Sequence, residues 1–102
     1  MEVKAMSKYR SQQKWLELGR VVATPGALQA LEEAGQLPDE FLTLHQNGEW
    51  GIVCDEDKAL NDEALEQGSR ILSAYRLRNG TKLWIITEWD RSATTLLLPD
   101  EY

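Results

Sequence analysis

Asn79-Gly80 stands between two stretches whose apolar residues recur at every second position, and nothing else in the sequence constrains the fold as strongly. Both central positions of a type I′ turn need positive φ, which Asn-Gly tolerates best, so the segment predicts a β-hairpin joining 70–78 to 81–89. On the first strand Ile71, Ser73, Tyr75 and Leu77 share a face, and on the second Leu83, Ile85, Thr87 and Trp89 do. Trp84 and Ile86 make the reverse face of the second strand apolar too, which predicts cover on both sides. Trp89-Asp90-Arg91-Ser92 reads as the next turn, and Thr94–Leu98 returns as a third strand before Pro99 stops it.

Upstream, proline and glycine punctuate a helical region. Gly19 to Ala23 reads as a short strand; Thr24 can cap and Pro25 open a helix that runs to Ala34, with Gly35 ending it in the left-handed conformation. Pro38 opens a second helix through about Gln46, with Phe41 and Leu44 facing inward. The run Glu49 to Cys54 fits a short strand or a packed loop equally well. Asp55 is a plausible N-cap for a third helix over Glu56–Gln67, with Leu60, Ala64 and Leu65 as its apolar stripe and Gly68 at its end. Residues 1–18 read as an arm or a marginal helix in which Tyr9, Trp15, Leu16 and Leu18 pack one edge onto a single domain over 19–102. The expected architecture is α+β: an antiparallel sheet of three to four strands, ending in a β-meander, with two to three short helices on one face. Whether the meander's last strand is an open edge that pairs with a second chain is left undecided by the sequence.

A chain of 102 residues, 42% hydrophobic, is sized for one core without staples, and the single Cys54 excludes an internal disulfide. No stretch approaches the roughly 18 apolar residues of a membrane span, and the amino-terminal residues lack the apolar centre of a secretory signal, so a cytoplasmic protein is expected. The net charge of −6 is unevenly spread: residues 32–66 carry eleven acids against one cation, Lys58, between a basic amino-terminal segment and a nearly neutral carboxy-terminal one. Such a centre repels phosphate backbones, so duplex DNA is not the expected partner and a basic protein surface is.

The densest group of chemically capable residues is His45 to Gly51, followed by Asp55, Glu56, Asp57 and Asn61. His45 and Glu49, four residues apart across a helix end, supply the minimum for acid–base work near neutral pH, although no nucleophile is written beside them. The competing reading makes His45 a helix-end residue and Trp50 core. A calcium loop at Asp55 is rejected because Leu60 occupies the position that requires glycine. No metal site or cofactor is expected: His45, Glu49 and Cys54 match no ligand spacing. Arg76 and Arg91, with Lys82 beside Trp84, suggest a mixed basic and aromatic strip of the kind that holds single-stranded nucleic acid. The commoner reading is an ordinary sheet surface with ion pairs such as Arg76 with Glu88.

Taken in order, Gly19-Arg20-Val21-Val22-Ala23-Thr24-Pro25-Gly26-Ala27, Phe41-Leu42 with His45, Gly48-Glu49-Trp50-Gly51, Gly68 to Tyr75, Gly80 to Glu88, Asp90-Arg91-Ser92 and Leu97 to Tyr102 resemble a family of small bacterial "plasmid-related" proteins encoded on plasmids and integrative elements. The resemblance covers about 19–102, with Gly-Glu-Trp-Gly where the family pattern has Gly-Asp-Trp-Gly. It brings no activity with it. It implies cargo of a mobile element, where small acidic proteins often bind host or defence proteins. The expectation is therefore a non-enzymatic interaction module whose binding residues include Trp50, Asp55, Glu56, Asp57, Asn61, Arg76 and Arg91. The alternative is a small nucleic-acid-processing enzyme or toxin using His45 and Glu49 with arginines of the sheet.

Overall fold

The computed structural model describes residues 15–102. The expected amino-terminal arm, including Tyr9, lies largely outside them. Its described end, Trp15 to Leu18, is not helical. Leu16 is instead buried against α2, its amide donating to the Gln46 carbonyl (3.2 Å) and its own carbonyl accepting from Gln46 Nε2 (3.1 Å).

Strand β1 (Arg20–Ala23) leads into helices α1 (Pro25–Ala34), α2 (Pro38–Gln46) and α3 (Asp55–Gln67), followed by strands β2 (Ile71–Arg76), β3 (Lys82–Thr87) and β4 (Ala93–Leu97) and a 3-10 turn at Pro99–Glu101. The α+β class is as expected. The prolines and glycines set the helix boundaries: Thr24 Oγ1 accepts from the Ala27 amide at 3.1 Å, Pro25 opens α1, and Gly35 and Gly68 close α1 and α3 in the left-handed region. Cys54, not Asp55, is the N-cap of α3, and Asp55 joins Glu56 and Asp57 in its first turn.

Sheet order is β1-β4-β3-β2, with β2, β3 and β4 antiparallel as a meander. The expected all-antiparallel sheet is corrected at one edge: β1 lies parallel to β4, Val22 opposite Thr95. The last strand of the meander is thus internal, and β1 and β2 are the edges. The hairpin turn also differs from the type I′ reading. Leu77 and Thr81 close a three-residue loop, in which only Gly80 (φ +88°) is left-handed. Asn79 stays at negative φ because its carboxamide is tied down, Nδ2 donating to the Ala30 carbonyl (3.3 Å) and Oδ1 accepting from the Thr81 amide (3.2 Å). A type I turn followed by a left-handed residue is the next commonest hairpin solution.

Period-two alternation aims Tyr75, Leu83, Ile85 and Leu96 at Ala27, Leu31, Phe41 and Leu42 of α1 and α2, forming the main core. Full burial of a side chain of this kind is worth roughly 1.5–3 kcal/mol. A smaller cluster, Leu16, Trp50, Ala64 and Ile71, lies under α3. On α2, Phe41 is buried as expected, while Leu42 and His45 are more deeply placed than Leu44. On α3 the expected stripe fails at Leu60, which is 59% exposed; Asn61 is buried in its place. Trp89, expected on the buried face, is 66% exposed because β3 ends at Thr87. On the reverse face, Ile86 is buried and Trp84 partly so.

Candidate functional site

His45 is fully buried where α2 meets the sheet. Nδ1 lies 2.5 Å from Ser73 Oγ and Nε2 2.8 Å from Thr87 Oγ1; Thr87 Oγ1 is 2.7 Å from Thr94 Oγ1, which donates to the Leu18 carbonyl at 2.8 Å. Burial, assisted by the positive charge of Arg91, pushes the imidazole down to a pKa of about 4. The ring is therefore neutral at physiological pH, with both nitrogens satisfied. Trp50 closes the site edge-on, with its ring centroid 5.8 Å away.

Glu49 does not reach this network. It is exposed on the loop after α2, and its backbone carbonyl accepts from Tyr75 OH at 2.7 Å. That phenol is pushed up to about 12, mainly by burial. A cleft of about 410 Å³ lined by Glu49, Trp50, Lys58, Asp62 and Tyr75 opens beside it. Trp50 is core rather than an exposed anchor, and its Nε1 donates to Asp62 at 2.9 Å. Gly51 makes the close approach that seats this loop. At φ +81°, its position for a Cβ lies 1.9 Å from the Ala74 carbonyl, and only glycine fits. The segment left open as strand or loop is a loop with one parallel bridge, Gly51 to Ala74.

Asn61 faces the edge of β2, where its carboxamide serves as a substitute strand: Nδ2 donates to the Leu72 carbonyl (2.8 Å) and Oδ1 accepts from the Leu72 amide (3.3 Å). Two residues on, Ala74 donates to the Trp50 carbonyl (3.1 Å) and accepts from the Ile52 amide (2.7 Å). Asn61 also lines a shallow depression of about 250 Å³ with Asp57, Arg70 and Leu72. His45, Glu49 and Asn61 therefore sit at three separate places and do not form a catalytic cleft.

Arg91 adopts φ +61°, and its guanidinium donates to the carbonyls of Ala64 (2.8 Å), Ser69 (2.7 Å) and Glu88 (3.1 Å). It locks the end of α3 to the β3–β4 turn. Arg76 is exposed opposite Lys82, at the other end of the hairpin from Glu88, so the expected Arg76–Glu88 pair does not form. Asp55, Glu56 and Asp57 are exposed in the first turn of α3. Among the described residues, no three His, Cys, Asp or Glu side chains are placed to hold a metal ion, and no helix is long and apolar enough to cross a membrane.

Sequence reasoning missed Ser73 and Thr87 as the partners of His45, and Thr94 as the partner of Thr87 behind it. Three hydroxyls at inward strand positions were the available signal. It also missed Tyr102, whose ring meets Trp84 edge-on at 5.8 Å and stacks under Arg70. No protein-family model, curated protein or solved structure matches the chain.

Proposed function

We propose that this protein is a non-enzymatic interaction module whose acidic helical surface docks on a basic protein partner. The observation that carries the reading is the placement of charge: all eleven acids between 32 and 66 are exposed, and they belong to the helices and the loop before α3. On α3 itself only Asn61 and Ala64 are buried, so the helix presents Glu56, Asp57 and Glu63 outward beside a single cation, Lys58. A helix held by so little apolar area and so many polar ties is suited to displaying charge. Surfaces of one sign raise association rates with oppositely charged partners and select against like-charged ones. The resemblance to plasmid-borne proteins directs the search for that partner to host and defence proteins.

The test is a pull-down from bacterial lysate, comparing the wild type with a Glu56→Lys, Asp57→Lys, Glu63→Lys variant whose fold is checked by circular dichroism. Asp62 is left intact because it holds Trp50. Basic proteins retained by the wild type and lost by the variant support the reading. If reversal leaves every partner bound, the reading fails.

A further inference from the structure

The face of the sheet turned away from α1 and α2, crossed by the 3-10 turn Pro99–Glu101 and Tyr102, differs in charge from the helical layer. Strand register puts Arg76 and Lys82 side by side at one end of this face, and Arg70 and Arg20, both exposed, at the other. Arg70 immediately precedes β2 and Arg76 ends it, six residues on, a span of roughly 20 Å. Between the two cationic ends lie aromatic rings: Trp84 is half-buried in β3, and Tyr102, 69% exposed, crosses from Trp84 to Arg70. The Arg70 guanidinium stands 5.6 Å from the Tyr102 ring centroid and donates to its hydroxyl.

Two features of this face are unfavourable without a ligand. Arg76 and Lys82 are direct cross-strand neighbours of like charge, a repulsive pairing that the 3.1 Å bond from the Arg76 guanidinium to the Gly80 carbonyl does not neutralise. Tyr102 leaves most of its ring in water although it is held in place from two sides. The carboxylates nearest this face are Glu88, half-buried beyond β3, Asp57, which shares the depression with Arg70, Asp100, exposed in the 3-10 turn that leads to Tyr102, and Glu101, which is engaged by Thr24 and the Leu98 amide. The acids of α1 and α2 lie behind the sheet, where a Debye length of about 8 Å at physiological salt weakens their reach.

We propose that this face binds single-stranded nucleic acid, with Arg70, Arg76, Lys82 and Arg20 on the phosphates and Tyr102, backed by Trp84, stacking on a base. A single strand offers both negative charge and unstacked bases. A duplex hides the bases, and an acidic peptide offers the charge but no ring to stack. The site is independent of the acidic surface on α3 proposed above, and each stands or falls alone.

Fluorescence anisotropy of labelled oligo(dT) and oligo(U) tests it at about 50 mM salt, where phosphate contacts are strong. The expected result is binding whose log K falls with log salt at a slope of about −2 to −3, the range for three to four phosphates neutralised on a single strand. Arg76→Gln with Lys82→Gln should weaken binding about tenfold or more and make the slope shallower by roughly 1.4. Tyr102→Ala should weaken binding roughly 5- to 150-fold with the slope unchanged. All three residues are exposed, so these variants retain the fold. The proposal is overturned by the absence of binding at about 100 µM protein, the weak end of non-specific affinity. It is equally overturned by a duplex of the same length binding as tightly, by poly-glutamate competing as well as oligo(dT), or by a slope indifferent to loss of Arg76 and Lys82.

Discussion

The Leu18 carbonyl determines which nitrogen of His45 carries the proton. A carbonyl only accepts, so Thr94 must spend its single hydroxyl proton on Leu18 and can only accept from Thr87. Thr87 is then the donor to Thr94 and the acceptor from His45, which places the imidazole proton on Nε2 and leaves Nδ1 to accept from Ser73. Long-range proton–nitrogen correlation spectra should show this Nε2–H tautomer. The Nδ1–H form would contradict the chain of donors.

That neutral ring predicts an acid-sensitive fold. With the folded-state pKa lowered to about 4 against about 6.5 when unfolded, the unfolded chain takes up the proton first. Stability is therefore complete above about pH 6.5 and declines as pH falls toward 4, by about 3 kcal/mol in all. His45 is the chain's one histidine, so the part of the decline between pH 6.5 and 5 belongs to it. Urea denaturation across this range should show the decline in wild type and a flat profile in His45→Gln.

Asn61→Ala should destabilise the protein by about 2 kcal/mol, because two backbone groups of Leu72 lose their partner. Asn61→Asp should be worse near neutral pH, since it sets a carboxylate against the Leu72 carbonyl. Both variants uncover the β2 edge, and size-exclusion chromatography with light scattering should register increased self-association. Equal stability of Ala and Asp variants would refute the substitute-strand role.

Replacing Arg91 separates its two roles. Arg91→Ala loses the charged donor to Ala64, Ser69 and Glu88 and should cost about 2–3 kcal/mol. Arg91→Gly loses the same bonds but relieves the left-handed backbone, so it should be milder by about 1 kcal/mol. Chemical denaturation of the two variants checks the order.

Two glycines with similar φ should respond very differently to alanine. At Gly80 the added methyl meets open space, and the loss should be about 1–2 kcal/mol from backbone strain alone. At Gly51 it would overlap the Ala74 carbonyl and the Tyr75 ring, and the loss should reach about 4 kcal/mol or more. Thermal melts of Gly51→Ala and Gly80→Ala discriminate directly.

What was legible in the sequence was what neighbours in the chain decide. Thr24-Pro25, Pro38, Gly35 and Gly68 mark the helix ends because capping and φ are local properties, and alternation in 71–86 shows which residues face inward. The turn at Asn79 was misread because Ala30, 49 positions away, fixes the asparagine's conformation. Leu60 and Asn61 exchanged their expected roles because the edge of β2 needs a hydrogen-bonding partner more than it needs a methyl group. The parallel pairing of β1 leaves no mark on either strand's pattern. The candidate site was legible only as residue types. His45 stands out as a residue type, but the three hydroxyls that render it inert come from three different strands.

The pairing of β1 with β4 also orders events in time. Val22 finds its strand partner in Thr95, and the α1 cap residue Thr24 donates to Glu101, 77 positions later. A ribosome making this chain finishes α1 long before either partner exists, whereas the β2–β3 hairpin can close within its own turn. Long-range pairings are slow to form because loop entropy is lost before they are made. The amino-terminal strand should thus be the last to add, which a φ-value near zero at Val22 beside a high one at Ile85 would record.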